Sequence, residues 1–122
     1  MVNKIIAFDL DDVICCRTSN HGGIEKYKTC YPNREMIHLV NTCYRKGAII
    51  KIYTARGMTH FSGDVNKIYS NLYNLTLDQL ENWGVMFHEL LMGKLHYDLL
   101  IDDKALNSLN VSFEKIKSMG EE

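Results

Sequence analysis

Five aspartates fall in two short stretches, Asp9-Leu10-Asp11-Asp12-Val13 and Asp102-Asp103, with Thr54-Ala55-Arg56 and Lys94 between them. Each lies at or just beyond the end of an apolar run of a strand's length. In open α/β sheets, ligands bind at the carboxyl ends of the strands. Up to five carboxylates, one lysine and one hydroxyl therefore converge on one edge of a small sheet. Crowded carboxylates repel, and such a cluster is ordinarily held by a hard cation with oxygen ligands, Mg²⁺ being the default. The histidines share no H-x-x-x-H spacing, so a histidine metal site is not expected.

The elements that must position these groups alternate along the chain. Lys4 to Phe8 is a short apolar run that stops at acids, as a buried parallel strand would. A polar segment with Gly22-Gly23 follows, from about residue 14 to 32. It exceeds the usual βα loop, and long ordered loops tend to be functional. After Pro32, Met36, Ile37, Val40, Cys43 and Tyr44 recur at helical spacing, with Gly47 placed to end the helix. Ala48 to Tyr53 reads as the second strand and Thr54 as its end.

A helical pattern then runs through Val65, Ile68 and Leu72. Thr76-Leu77-Asp78-Gln79 has the form of a capping box, with Leu75 and Leu80 as its apolar staple. The spacing predicts a break near Asn74 and a second helix to Trp83, stopped by Gly84. Val85 to Met92 should hold the third strand, Asp98 to Ile101 the fourth, and Phe113 to about Met119 a last helix begun by Ser112. Only about six residues separate the last two strands, too few for a crossover helix, so one must be short or irregular. The pattern predicts an α/β fold. Residues 1–122 form a single Rossmann-like, three-layer α/β/α domain with a mostly parallel sheet covered on both faces.

Composition narrows the function classes. Fourteen Lys and Arg against fifteen Asp and Glu leave a net charge of −1, which excludes nucleic-acid binding by bulk charge. The apolar runs are far short of the ~20 residues that span a bilayer, so no membrane association is expected. The N-terminus leads directly into a strand-like run and lacks the pattern of a signal peptide, which points to the cytoplasm. Cys15, Cys16, Cys30 and Cys43 form no C-x-x-C pair, and adjacent Cys15 and Cys16 cannot form an unstrained bridge. Free thiols in a reducing compartment are the simpler reading, with a thiol beside the active site as the other.

In order, an apolar strand with D-x-D-x-[TV], a Thr, a Lys and a double Asp resemble the haloacid dehalogenase-like hydrolase superfamily. The likeness runs from Ile5-Ile6-Ala7-Phe8-Asp9 to Ile101-Asp102-Asp103-Lys104-Ala105. Tyr53-Thr54-Ala55-Arg56 and Tyr97-Asp98-Leu99-Leu100-Ile101-Asp102-Asp103 are similar to the small phosphatases of capsular polysaccharide biosynthesis that lack a large cap. Many of those place a proline after the motif lysine, where this chain has Leu95.

The resemblance implies a Mg²⁺-dependent phosphatase acting on a small-molecule phosphate monoester such as a sugar, polyol or amino-alcohol phosphate. Asp9 is then the nucleophile that forms an aspartyl-phosphate. Asp11 is the general acid and base, with neighbouring carboxylates raising its proton affinity in the required direction. Asp9, the main-chain carbonyl of Asp11 and Asp102 hold Mg²⁺, with Asp103 ligating directly or through water. Thr54 and nearby amides grip phosphoryl oxygens, and Lys94 neutralises Asp9 and the phosphoryl group. Arg56 is a candidate substrate contact because its loop borders the phosphate. Asp12 is assigned to a loop or capping position.

Residues 14–32 would then form a flap over the site. Its Arg17, His21, Glu25, Lys26 and Tyr27 are read as exposed loop residues in preference to leaving-group contacts. So short a chain leaves the site open unless a second subunit of a homo-oligomer covers it, with the Thr59-His60-Phe61 loop as a contact. The alternatives are a phosphotransferase or mutase on the same core, and a non-catalytic phosphate-binding partner protein. A response-regulator receiver is excluded by the order of its acids, Thr and Lys.

Overall fold

The computed structural model describes residues 1–19 and 22–119. In chain order its elements are β1 (Ile5–Phe8), β2 (Cys15–Cys16), a 3-10 helix (Gly23–Thr29), β3 (Tyr31–Pro32), α1 (Arg34–Arg45), β4 (Ile49–Thr54), α2 (Val65–Asn82), β5 (Glu89–Met92), a 3-10 turn (Ser108–Asn110) and α3 (Phe113–Ser118). The class is α/β. Strands β1, β4 and β5 form one parallel sheet in that order, and β2 and β3 form a small antiparallel ladder at the base of the flap. Register follows side-chain alternation: Ile6 lies beside Ile50, Phe8 beside Ile52, and Ile52 beside Leu90.

Those even-numbered strand residues face the helices. Phe8, Ile50, Ile52, Leu90 and Met92 meet Ile37, Val40 and Cys43 of α1 and Ile68, Leu72 and Leu80 of α2 in one core. The helices begin where their caps dictate. Asn33 accepts the Met36 amide at 3.3 Å, Asp64 the Lys67 amide at 3.2 Å, and Ser112 the Lys115 amide at 3.2 Å. Gly47, at φ +98°, turns the chain out of α1, and a Cβ there would sit 3.1 Å from Val2. At the other end of the sheet, Lys4 donates to the carbonyls of Ile116, Lys117 and Met119, closing the C-terminus of α3.

Three expectations are corrected. Helix α2 runs unbroken through Asn74, because Thr76 and Gln79 do not cap: their side chains turn to Arg56, as described below. No strand forms over Asp98 to Ile101; that segment is irregular, with Leu99 75% and Ile101 89% exposed. The sheet is covered on one face only among the described residues. On the other face Ile5, Ala7, Tyr53 and Glu89 are exposed, so a third layer is not seen. Both shortfalls share one cause. With no strand over 98–101, the outer edge of β1 has no strand beside it, and no described segment crosses the second face. No described helix is long and apolar enough to cross a membrane.

Candidate active site

The carboxyl ends of β1, β4 and β5 open into one cavity of about 540 Å³, a volume suited to a small ligand. Asp9, Asp11, Asp12, Thr54, Arg56 and Lys94 line it, together with Arg17, Lys26 and Tyr27 from the flap and His60, His96 and Tyr97 from the adjoining loops. Strand alternation delivers the two principal acids. Phe8 and Leu10 turn into the core, Leu10 with no exposed surface, so Asp9 and Asp11 emerge together on the cavity side. The chain then turns sharply. Ile14 donates to the Leu10 carbonyl at 2.8 Å, and Asp12 takes a left-handed conformation at φ +67°, which aspartate tolerates better than most residues.

Asp9 is held at both oxygens. Oδ1 accepts the Leu10 amide at 2.8 Å, and Oδ2 accepts Lys94 Nζ at 3.1 Å, while 37% of the side chain remains exposed. Lys94 is placed from β5, its amide donating to the Thr54 carbonyl at 3.0 Å. Its ammonium also donates to the Tyr97 hydroxyl at 3.0 Å. Burial works against the charge on Lys94, but the hydrogen bonds to Tyr97 and Asp9 and the charge on Asp9 outweigh it and raise its pKa. Lys94 therefore stays cationic throughout the neutral range. Thr54 is buried, and its Oγ1 accepts the Arg56 amide at 3.1 Å.

Arg56 is the centre of the site's framework. Its guanidinium is fully buried, and Nε and Nη2 donate to Asp11 at 3.0 to 3.2 Å. Nη1 donates to Thr76 Oγ1 at 3.2 Å and Gln79 Oε1 at 2.6 Å. The Tyr27 ring packs against the guanidinium carbon at 4.9 Å. Burial opposes this charge too, and the hydrogen bonds and charge of Asp11 overcome it, so the pKa is raised. Arg56 is thus a positioning residue, with its donors spent on the protein, and the expectation of a substrate contact is corrected. The expectation for Asp11 changes as well: its partner is a guanidinium, not a set of carboxylates.

Tyr27 is buried, against its reading as an exposed loop residue. Its hydroxyl accepts the Gly57 amide at 3.1 Å and its carbonyl accepts Gln79 Nε2 at 2.7 Å, pinning the flap to the core. Glycine suits this position: its φ is +79°, which strains other residues, and a Cβ would come within 2.7 Å of the Leu72 side chain. Asp12 pairs with Arg17, in keeping with a loop role. His21 lies outside the described residues. Thr76, Gln79 and Tyr27 are the parts of the site that sequence reasoning missed. Thr76 did carry a signal, a polar residue in line with Ile68, Leu72 and Leu80 on the buried face of α2, but with Gln79 it was absorbed by the capping pattern.

Asp102 and Asp103 are not brought to the cavity. Both are exposed, in a turn where Asp102 Oδ1 accepts the Asp103 amide at 2.6 Å and the Lys104 amide at 3.2 Å. A hydrogen bond with the Asp103 side chain and these two amides hold the Asp102 carboxyl below its ordinary range. The donors at the cavity fit a hard cation in kind, since Asp9 offers a partly exposed carboxylate, but not in number. Both Asp11 oxygens face Arg56. A second cluster, Asp11 with Cys15 and Cys30, has ligand atoms within 4.8 Å of one another. Arg56 Nη2 lies 3.7 Å from Cys15 Sγ, so that cluster's negative charge is already matched by a cation. Burial, then the charge on Asp11, pushes both thiols up, so they are protonated hydrogen-bond donors to Asp11.

No protein-family model and no curated protein matches the chain. Among solved structures, a crystal structure of a protein from Vibrio cholerae is similar at 27% identity and a TM-score of 0.78. The match covers 93% of this chain and 94% of that one. A chain of the Pnkp1/Rnl/Hen1 complex matches at 14% identity and a TM-score of 0.55, over 79% of this chain and 30% of that one. The second likeness is one of fold alone.

Two outcomes follow from this geometry. Arg56→Ala strips the half-buried Asp11 carboxylate of its fully buried partner and should cost up to roughly 3–5 kcal/mol in urea unfolding, whereas an exposed-lysine control should cost little. In the native protein a thiol reagent at pH 8 should label Cys16 quickly, since it alone of the four cysteines is partly exposed. Cys15, Cys30 and Cys43, buried and with raised pKa values, should react only after unfolding; rapid labelling of Cys15 or Cys30 would contradict the packing described.

Proposed function

We propose that this protein is a Mg²⁺-dependent phosphatase of the haloacid dehalogenase-like type, cleaving a small phosphate monoester through an aspartyl-phosphate. The observation that carries the reading is a partly exposed Asp9 carboxylate bonded to a cationic Lys94, with Thr54 lining the same cavity at the carboxyl end of a parallel sheet. An Asp9 oxygen attacks phosphorus in line, the P–O ester bond breaks, and the leaving oxygen takes a proton from Asp11, whose carboxylate must first take that proton up from solvent against the attraction of Arg56. Water then attacks the acyl-phosphate, giving its proton to Asp11 and releasing inorganic phosphate and free Asp9. Arg56 fixes where the Asp11 carboxyl points in both halves. Lys94 offsets the charge of Asp9 and of the phosphoryl oxygens, and Thr54 orders the loop that meets them.

Mg²⁺ would be held by Asp9, the main-chain carbonyl of Asp11, Asp102 and Asp103, and would shield the carboxylate from the phosphate dianion. This requires the 98–103 segment to approach Asp9. The outer edge of β1 is unpaired and the run Leu99-Leu100-Ile101 is apolar and exposed, which leaves both free for such an approach.

Wild-type protein should release phosphate from p-nitrophenyl phosphate with Mg²⁺ and stop on addition of EDTA. Asp9→Asn should fall to background, because an amide is a poor nucleophile. Full activity in Asp9→Asn would end this reading. Mg²⁺ should also raise the melting temperature of the wild type and not that of Asp102→Asn, since an ion that binds only the folded state stabilises it. An equal rise in both would remove Asp102 from the site.

A further inference from the structure

The charges around the cavity do not balance, and the excess lies on the flap. Three carboxylates line it, Asp9, Asp11 and Asp12, against four permanent cations, Arg17, Lys26, Arg56 and Lys94. Each carboxylate is already paired: Asp9 with Lys94, Asp11 with Arg56, Asp12 with Arg17. Lys26 is left with no acidic partner among the described residues. Its neighbour Glu25 is engaged instead by Lys28 at 3.1 Å. The Lys26 ammonium lies 5.3 Å from the centre of the Tyr27 ring, and Tyr27 is the residue that ties the flap to Gly57 and Gln79. Lys26 is therefore held at the cavity by a buried anchor one residue away, not carried on a loose loop.

Arg17 points the same way. One nitrogen serves Asp12, but its Nε is buried with no hydrogen-bond partner among the described residues. A cavity wall with an unmatched ammonium beside a guanidinium is suited to an anion, and it is the Lys26 ammonium that meets it, since Arg17 Nε has no surface open to the cavity. The phosphoryl group itself belongs at Asp9, Lys94 and Thr54, so the anion that meets Lys26 is a different one.

We infer that the leaving half of the substrate carries a second anionic group, a carboxylate or a further phosphate, received by Lys26 with Arg17 beside it. This rests on the phosphatase reading above and narrows it. Among small monoesters it favours phosphorylated hydroxy acids and bisphosphates over neutral polyol esters, and it disfavours amino-alcohol phosphates, whose ammonium would face Lys26.

Three esters of nearly equal size that differ in distal charge test this: phosphoglycolate, 2-hydroxyethyl phosphate and phosphoethanolamine, with p-nitrophenyl phosphate as the neutral aryl probe. In the wild type with Mg²⁺, kcat/KM should fall in that order, phosphoglycolate exceeding phosphoethanolamine by roughly 10- to 100-fold, the worth of one charge-assisted hydrogen bond. Lys26→Met should shrink the ratio and Lys26→Glu should invert it. A bisphosphate arm, glycerol bisphosphate against glycerol phosphate, separates a second phosphate from a carboxylate as the preferred anion. Hydrolysis of the aryl ester with no charge preference, or with a preference that Lys26→Glu leaves unmoved, overturns this inference and leaves the phosphatase standing. No hydrolysis of any ester, the aryl one included, overturns the phosphatase reading itself.

Discussion

The ion pair between Arg56 and Asp11 is the interaction on which the rest of the site depends. A guanidinium with no exposed surface is costly to desolvate, and it is tolerated only where its donors find acceptors in good geometry. Here the acceptors come from two parts of the chain: Asp11 after β1, and Thr76 and Gln79 one turn apart on α2. The pair therefore ties the acid motif, the loop after β4 and the second helix into one arrangement. Asp11 can be aimed at the cavity because Arg56 is aimed by α2, and α2 is packed on the sheet through Ile68, Leu72 and Leu80.

The same residues fasten the flap. Gln79 uses its oxygen on Arg56 and its nitrogen on the Tyr27 carbonyl, so one side chain holds both the framework of the acid and the cover over it. Tyr27 completes the link with its hydroxyl on Gly57 and its ring against the guanidinium. The consequence is a cavity whose walls are set by buried hydrogen bonds while its mouth carries exposed charge.

The open side of the molecule contrasts with this order. Ile5 and Tyr53 on the second face of the sheet, and Leu99, Leu100 and Ile101 beyond β5, are apolar and exposed. Exposed surface of this kind is unfavourable in water, and an unpaired strand edge is a place where further pairing occurs. Among the described residues the edge of β1 has no strand beside it and the 98–101 run has no partner strand.

The sequence by itself determined what depends on neighbours close along the chain. The strand at Ile5–Phe8, the cap at Ser112, the turn at Gly47, and the emergence of Asp9, Thr54 and Lys94 at strand ends all follow from local spacing and alternation. Tertiary structure decided what depends on distant partners. Arg56 reads as an exposed anion contact until Asp11, 45 residues away, is seen to occupy it. Thr76 and Gln79 carry the local signature of a helix start, yet a buried guanidinium is a stronger claimant on their side chains than free helical amides, so α2 continues through them. The run at 98–101 has the composition of a strand, but a strand needs a partner edge and not composition alone. Spacing can place a side chain on a face; only the fold decides which charge it meets there.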